Sequence, residues 1–74
     1  MNTRFLVNQP QFFPTPIPGV ITDTVTLDQK GRIRFQGSFY PAQLAEQNMS
    51  DELSPGTTVQ VLGRLGITLL IRPV

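Results

Sequence analysis

The residues best suited to chemistry lie in one short ribbon, which starts at Lys30 and reads KGRIRFQGSFYPAQL. Its cations Lys30, Arg32 and Arg34 stand close to the aromatic residues Phe39 and Tyr40. Cations of this kind neutralise phosphates, and aromatic rings stack on unpaired bases, so the ribbon could bind a single-stranded nucleic acid. The same pattern also suits an ordinary hairpin with a charged, solvated face.

The strand period decides which side chains of this ribbon can act together. Ile33 and Phe35 alternate with Arg32 and Arg34, so if the apolar pair faces inward, both arginines face outward. The chain has six cationic and five acidic residues, a near balance that argues against a polyanionic partner. We therefore expect a solvated, edge-protecting face in preference to a phosphate-binding surface.

Catalytic and metal-binding chemistry has few candidate residues. The chain contains no histidine and no cysteine, the residues that most often serve as general bases, nucleophiles and zinc ligands. Asp51 and Glu52 are adjacent in a loop. Asp23 and Asp28 flank a strand and its turn, and neither pair has a partner at a diagnostic spacing. We predict no catalytic residue, no cofactor and no metal site.

Length and composition describe one small domain. The chain has 74 residues, of which 39% are hydrophobic and 15% charged, and this is the composition of a folded protein rather than a disordered one. No apolar run approaches the roughly 18 residues of a membrane-spanning helix. The N-terminus lacks the apolar core and cleavage site of a signal peptide. We expect a cytoplasmic protein that folds alone.

Residues 1–18 are predicted to form a proline-rich N-terminal arm. Four of the seven prolines lie in it, at Pro10, Pro14, Pro16 and Pro18, and their spacing predicts neither a helix nor a central strand. The arm also contains apolar residues, so it could pack along the domain, stay unstructured or bind a partner. We favour the first two alternatives.

Residues 19–74 are predicted to form an all-β barrel of five short strands. β-branched and alternating residues indicate strands at 20–27, 32–35, 39–44, 57–62 and 67–74. Glycine and proline predict turns at 28–31, 36–38, 54–56 and 63–66, the last of them GRLG. Residues 43–53 lack strand character and allow one or two helical turns. A longer connection between the third and fourth strands favours a five-stranded OB-fold, with an SH3-like barrel as the alternative.

The alternation also predicts the core of this barrel. On the first strand, Ile21, Val25 and Leu27 are expected on one side. Pro41 suggests an edge or a bulge, where no ladder donor is needed. The side chains expected to point into the core from the other strands are Ile33, Phe35, Val59, Val61, Leu69 and Ile71.

An ordered set of glycines, aromatic and apolar residues runs through the predicted barrel: Leu27, Gly31, Ile33, Phe35, Gly37, Tyr40, Ala42, Ser54, Pro55, Gly56, Thr57, Val59, Val61, Gly66, Leu69, Ile71 and Pro73. This set resembles the C-terminal soluble domain of NfeD-like proteins. Tyr40 stands where the family often has Trp, and Gln29 stands where Pro is common. A proline-rich arm precedes the domain where family members usually carry membrane helices.

The resemblance implies a five-stranded OB-fold barrel that binds proteins and has no catalytic activity. The partners commonly associated with that family are membrane proteins of the stomatin, prohibitin or flotillin type. We therefore predict a monomeric, non-enzymatic protein-interaction module, which such a partner would place at the membrane periphery. The alternative is a single-stranded nucleic-acid-binding OB-fold that uses Arg32, Arg34, Phe39 and Tyr40. With Lys30, these residues form the candidate binding surface.

Overall fold

The alternating apolar residues fold into strands in a computed structural model, which describes residues 9–45 and 52–74. The strands are β1 (Gln11–Asp23), β2 (Gly31–Phe35), β3 (Ser38–Leu44), β4 (Thr58–Leu65) and β5 (Thr68–Pro73). They close into a barrel in the order β1-β2-β3-β5-β4. β3 and β5 run parallel, and the other neighbouring strands run antiparallel. The predicted all-β, five-stranded, OB-fold-like barrel is confirmed.

Inward-facing side chains from all five strands pack into one core. The residues predicted to point inward on β2, β4 and β5 are at most 6% exposed, which confirms the prediction for Ile33, Phe35, Val59, Val61, Leu69 and Ile71. Ile21 and Val25 are also buried, whereas Leu27 is 48% exposed. The inward position predicted for Leu27 is wrong, because β1 ends at Asp23 and Leu27 lies in a bend beyond the strand.

A tight turn at Gln36 and Gly37 joins β2 to β3. The φ angles are 52° at Gln36 and 82° at Gly37, and a two-residue turn with two positive φ angles matches the right-handed twist of the flanking strands. Phe35 pairs with Ser38 directly across the turn. The predicted tight connection is therefore confirmed.

The turn between β4 and β5 lies farther along the chain than GRLG predicts. β4 continues to Leu65, and the turn consists of Gly66, whose φ is 64°, and Ile67. Gly63 lies inside β4, where an added Cβ would stand 2.2 Å from the carbonyl oxygen of Gln11. The assignment of Gly63 to a turn is wrong, because the missing side chain instead lets β1 pass close to β4.

β1 begins at Gln11, so residues 11–18 of the predicted arm belong to a strand. This segment pairs with β4, from Gln11 opposite Arg64 to Val20 opposite Thr58. The predicted start of the barrel at Gly19 is therefore too late, because residues 11–18 already belong to its first strand. Gln9 and Pro10 precede the strand. The rest of the predicted arm, residues 1–8, lies outside the described residues.

Prolines are tolerated in β1 because of where their nitrogens point. The N–H of Ile21 donates to the Thr57 carbonyl over 2.9 Å, so Ile21 directs its backbone groups toward the β4 side. Backbone groups of successive residues point to alternate edges of a strand, so the nitrogen of Pro18 points to the β2 side. On that side β2 pairs with β1 only over residues 20–23, so Pro18 faces no partner strand. Pro14 and Pro16 lie where the pairing with β4 shifts register. A missing N–H at an unpaired edge or an irregular stretch breaks no ladder bond.

The connector predicted to hold helical turns, residues 43–53, lies mostly outside the described residues. Its first residues, Gln43 and Leu44, complete β3. At its end, Leu53 is buried and exchanges two backbone hydrogen bonds with Val25, of 2.9 and 3.0 Å. The helical turns stay a prediction. In the two ranges that the structure describes, no helix has the length and apolarity needed to cross a membrane.

Candidate functional site

The cationic ribbon lies on the outer face of the β2–β3 hairpin. Arg32 and Arg34 are exposed, as predicted. Arg34 pairs across the strands with Phe39, which is 61% exposed. Because paired positions on neighbouring strands share a face, the Arg34 and Phe39 side chains project from adjacent positions on this surface. Arg32 occupies the same face, opposite Pro41.

Two members of the predicted surface lie elsewhere. Tyr40 follows Phe39 on β3 and therefore points to the other face of the sheet, where it is half-buried against the core. Lys30 precedes β2 and lines a separate hollow beside the 26–29 loop. The structure thus groups Arg32, Arg34 and Phe39, and it separates them from Tyr40 and Lys30.

A cleft of about 420 Å³ opens at the end of the barrel that carries both tight turns. The start of β1, the end of β2 and the β4–β5 turn form its walls, with Phe12, Phe13, Phe35, Tyr40, Arg64 and Ile67 among its lining residues. Its volume lies in the range of about 300–1,000 Å³ that is typical of binding pockets. We call this feature the aromatic cleft.

The floor of the aromatic cleft is an array of three packed rings. The Phe13 ring lies parallel to that of Phe35, with an interplanar angle of 2° and a centroid distance of 6.1 Å. The Tyr40 ring meets Phe35 edge-on, at 69° and also 6.1 Å. Such pairs contribute about 0.5–1.5 kcal/mol each beyond the burial of their area. The rings therefore hold one another in place and give the cleft a preformed apolar floor.

The rim of the cleft is apolar and exposed at two places. Phe12 is 64% exposed and Ile67 is 76% exposed. The turn needs Gly66 for its positive φ, but it does not need an isoleucine beside it. Folding alone therefore gives no reason for an apolar side chain at Ile67.

Arg64 supplies the charge at this rim. Its guanidinium donates to the Gln11 side-chain oxygen from Nε over 3.4 Å and from Nη2 over 3.3 Å. Both hydrogen bonds are longer than the usual range of about 2.7–3.2 Å. A guanidinium carries five N–H donors, so further acceptors can bind here. Among the described residues, no acidic side chain lines the cleft.

Sequence reasoning missed this cleft because its parts are far apart in the chain. Gln11 and Arg64 are 53 positions apart, and Phe12 and Phe13 lie in the predicted arm, which precedes the predicted barrel. The one available signal was Ile67, an apolar residue next to the glycine of a predicted turn.

In the described parts of the chain, no group of three or more His, Cys, Asp or Glu side chains is placed to hold a metal ion.

Comparisons with protein-family models, curated proteins and solved structures give no match to this chain. The resemblance to NfeD-like domains, and the partners that it implies, stay predictions from the sequence.

Proposed function

We propose that the protein is a non-enzymatic interaction module that binds a segment of another protein in the aromatic cleft. The observation that carries this proposal is the exposure of Phe12 and Ile67 around a preformed apolar floor. Burying a large apolar side chain contributes about 1.5–3 kcal/mol, so a partner that covers both residues gains affinity. Exposed apolar patches bordered by polar residues are typical of interaction sites, and Arg64 and Gln11 border this one.

The partner proposed from the family resemblance is a membrane protein of the stomatin, prohibitin or flotillin type. Four residues of the resembling set also line the aromatic cleft, namely Phe35, Tyr40, Gly66 and Leu69. This overlap supports a binding surface that the protein has in common with NfeD-like domains. A partner of this class would hold the protein at the periphery of a membrane.

Site-specific photo-crosslinking tests the proposal in the cells that produce the protein. One variant carries p-benzoylphenylalanine in place of Ile67, and a matched variant carries it in place of Leu27, which is also exposed but lies outside the cleft lining. We expect a discrete cross-linked protein from position 67 that is absent from position 27, with its identity read by mass spectrometry. The same products from both positions would contradict the proposal.

A second candidate function is the binding of single-stranded nucleic acid by the β2–β3 face. The observation in its favour is the exposed pair of Arg34 and Phe39, on the face that OB-folds use for oligonucleotides. Such proteins stack successive bases on several rings, and Tyr40 points away from this face. The near-balanced charge also weighs against it. Protein binding is therefore the function that we favour.

A further inference from the structure

We infer that the aromatic cleft recognises an acidic peptide segment, in which an apolar side chain enters the cleft and a flanking carboxylate pairs with Arg64. This inference rests on the proposed function and adds the chemistry of the partner segment. Three features carry it: the apolar floor, the charge at the rim and the chemistry of the nearby strand edge.

The size and lining of the cleft set the apolar part of the ligand. Its volume of about 420 Å³ lies toward the lower end of the pocket range of about 300–1,000 Å³. It therefore accommodates a few side chains and not a folded domain. The stacked rings of Phe13 and Phe35, with Tyr40 edge-on, offer faces and edges to an aliphatic or aromatic side chain.

The charges around the cleft set the polar part of the ligand. Arg64 is exposed, and its side-chain acceptor is the neutral amide of Gln11 at 3.3 and 3.4 Å. A carboxylate would accept shorter, charge-assisted hydrogen bonds from the same guanidinium. The acidic residues in the described ranges are Asp23, Asp28 and Glu52. Asp23 is the last residue of β1, and Asp28 and Glu52 lie in loops, all at the opposite end of the barrel. The end that holds the cleft thus favours an acidic segment and disfavours a basic one.

The edge of β1 beside the cleft argues for side-chain insertion and against strand addition. Peptides that extend a sheet need main-chain donors along a free edge. In β1, Pro14, Pro16 and Pro18 have no N–H to donate, so this strand offers few main-chain donors to an added strand. The segment is therefore recognised by its side chains.

An NMR titration of the full chain tests the inference with three matched probes. They are the N-acetylated, C-amidated tetrapeptides Glu-Leu-Phe-Glu, Gln-Leu-Phe-Gln and Lys-Leu-Phe-Lys. We expect the acidic peptide to shift the amide signals of Gly66 and Ile67. The glutamine peptide should bind at least threefold more weakly, and the lysine peptide at least tenfold more weakly.

Arginine variants assign the preference to one side chain. Arg64→Gln should make the acidic and glutamine peptides bind equally, whereas Arg64→Lys keeps the charge and should keep the order of affinities. Arg72→Gln is the matched control, because Arg72 is exposed and bonded to the Gln60 amide over 2.9 Å but lies outside the cleft. Chemical-shift dispersion checks that each variant is folded.

Several results would overturn the inference. They are equal binding of the three peptides, a preference that survives Arg64→Gln, and binding that occurs only after residues 1–8 are removed. The last result would make the chain's own N-terminal segment the occupant. Concentration-dependent shifts at the cleft without peptide would identify a second copy and overturn it as well. Each of these results leaves the proposed function to the cross-linking experiment, so the two can fail separately.

Discussion

At the scale of single residues, Phe35 connects the stability of the protein with its candidate site. Its side chain is part of the barrel core, and its ring also forms the centre of the cleft floor, between Phe13 and Tyr40. The sequence predicted the first role from strand alternation. It could not predict the second, because Phe13 reaches Phe35 only once β1 has folded along β4.

Replacing Phe35 with Ala should therefore destabilise the fold and empty the floor of the cleft. We expect a loss of about 3–5 kcal/mol in the free energy of unfolding, which is typical of Phe→Ala changes in cores. Urea denaturation followed by circular dichroism measures it. Phe39→Ala is the control, because Phe39 is exposed and a surface change costs less than about 0.5 kcal/mol. Similar losses in both variants would mean that Phe35 is not a core residue.

Gly63 is the residue whose role depends most on its lack of a side chain. Ala in its place would put a Cβ 2.2 Å from the Gln11 carbonyl oxygen and 2.8 Å from the Phe12 Cα. We expect Gly63→Ala to push the start of β1 away from β4 and to disturb the cleft, with amide shifts concentrated at residues 11–13. Gly19→Ala is the milder comparison, because its Cβ would meet side-chain atoms of Val61 and Ile33 at 3.2 and 3.3 Å. Unchanged signals at residues 11–13 in Gly63→Ala would contradict this account.

At the scale of secondary-structure elements, the sequence predicted the barrel well where local chemistry decides the outcome. The period of two identified the inward side chains of β2, β4 and β5, and Gly37 marked the turn between β2 and β3. The predicted start of the first strand was wrong, because a proline excludes a strand only where its nitrogen faces a paired neighbour. The turn predicted at Gly63 was wrong, because a glycine can mark a close approach of two backbones as well as a turn.

Because β1 begins at Gln11, shortening the chain at its N-terminus should affect the stability of the barrel. A barrel complete from Gly19 onward would survive the removal of residues 1–17. In the structure that removal deletes the pairing of Gln11, Phe12 and Ile17 with β4 and the Phe13 ring that packs on Phe35. We therefore expect the chain without residues 1–17 to have a clearly lower melting temperature than the full chain.

Removing only residues 1–8 is the matched control for this deletion, because it leaves the whole of β1 in place. We expect its melting temperature to stay close to that of the full chain. Thermal unfolding followed by circular dichroism compares the three chains. Equal melting temperatures for the full chain and the chain without residues 1–17 would show that residues 11–17 add nothing to the stability of the barrel.

At the scale of the whole molecule, the two ends of the barrel differ in chemistry. Aromatic side chains gather around the two tight turns, on the cleft floor and rim and on the adjacent hairpin face. The acidic residues of the described ranges lie at the other end, at the last residue of β1 and in the loops. This difference between the two ends could not be predicted from the sequence, because these aromatic residues are distributed over three separate strands. It makes the cleft end the surface on which we expect binding.

The outer face of the β2–β3 hairpin provides the test of the nucleic-acid alternative. We expect no measurable affinity of the unmodified protein for a single-stranded DNA or RNA oligonucleotide at physiological salt. Changing both Arg32 and Arg34 to Glu should leave the melting temperature nearly unchanged, because both side chains are exposed. Low-micromolar binding that weakens steeply with salt and disappears in the double variant would instead favour the nucleic-acid function.

The central claim is that the aromatic cleft binds a protein partner, and the affinity of the cross-linked partner tests it most directly. Isothermal titration calorimetry of the purified partner compares the unmodified chain with Ile67→Ser and with Leu27→Ser, which removes an exposed leucine outside the cleft lining. Loss of about 1.5–3 kcal/mol of apolar burial predicts an affinity at least tenfold weaker for Ile67→Ser. For Leu27→Ser we expect a change of less than twofold. Equal affinities for all three chains would contradict the claim.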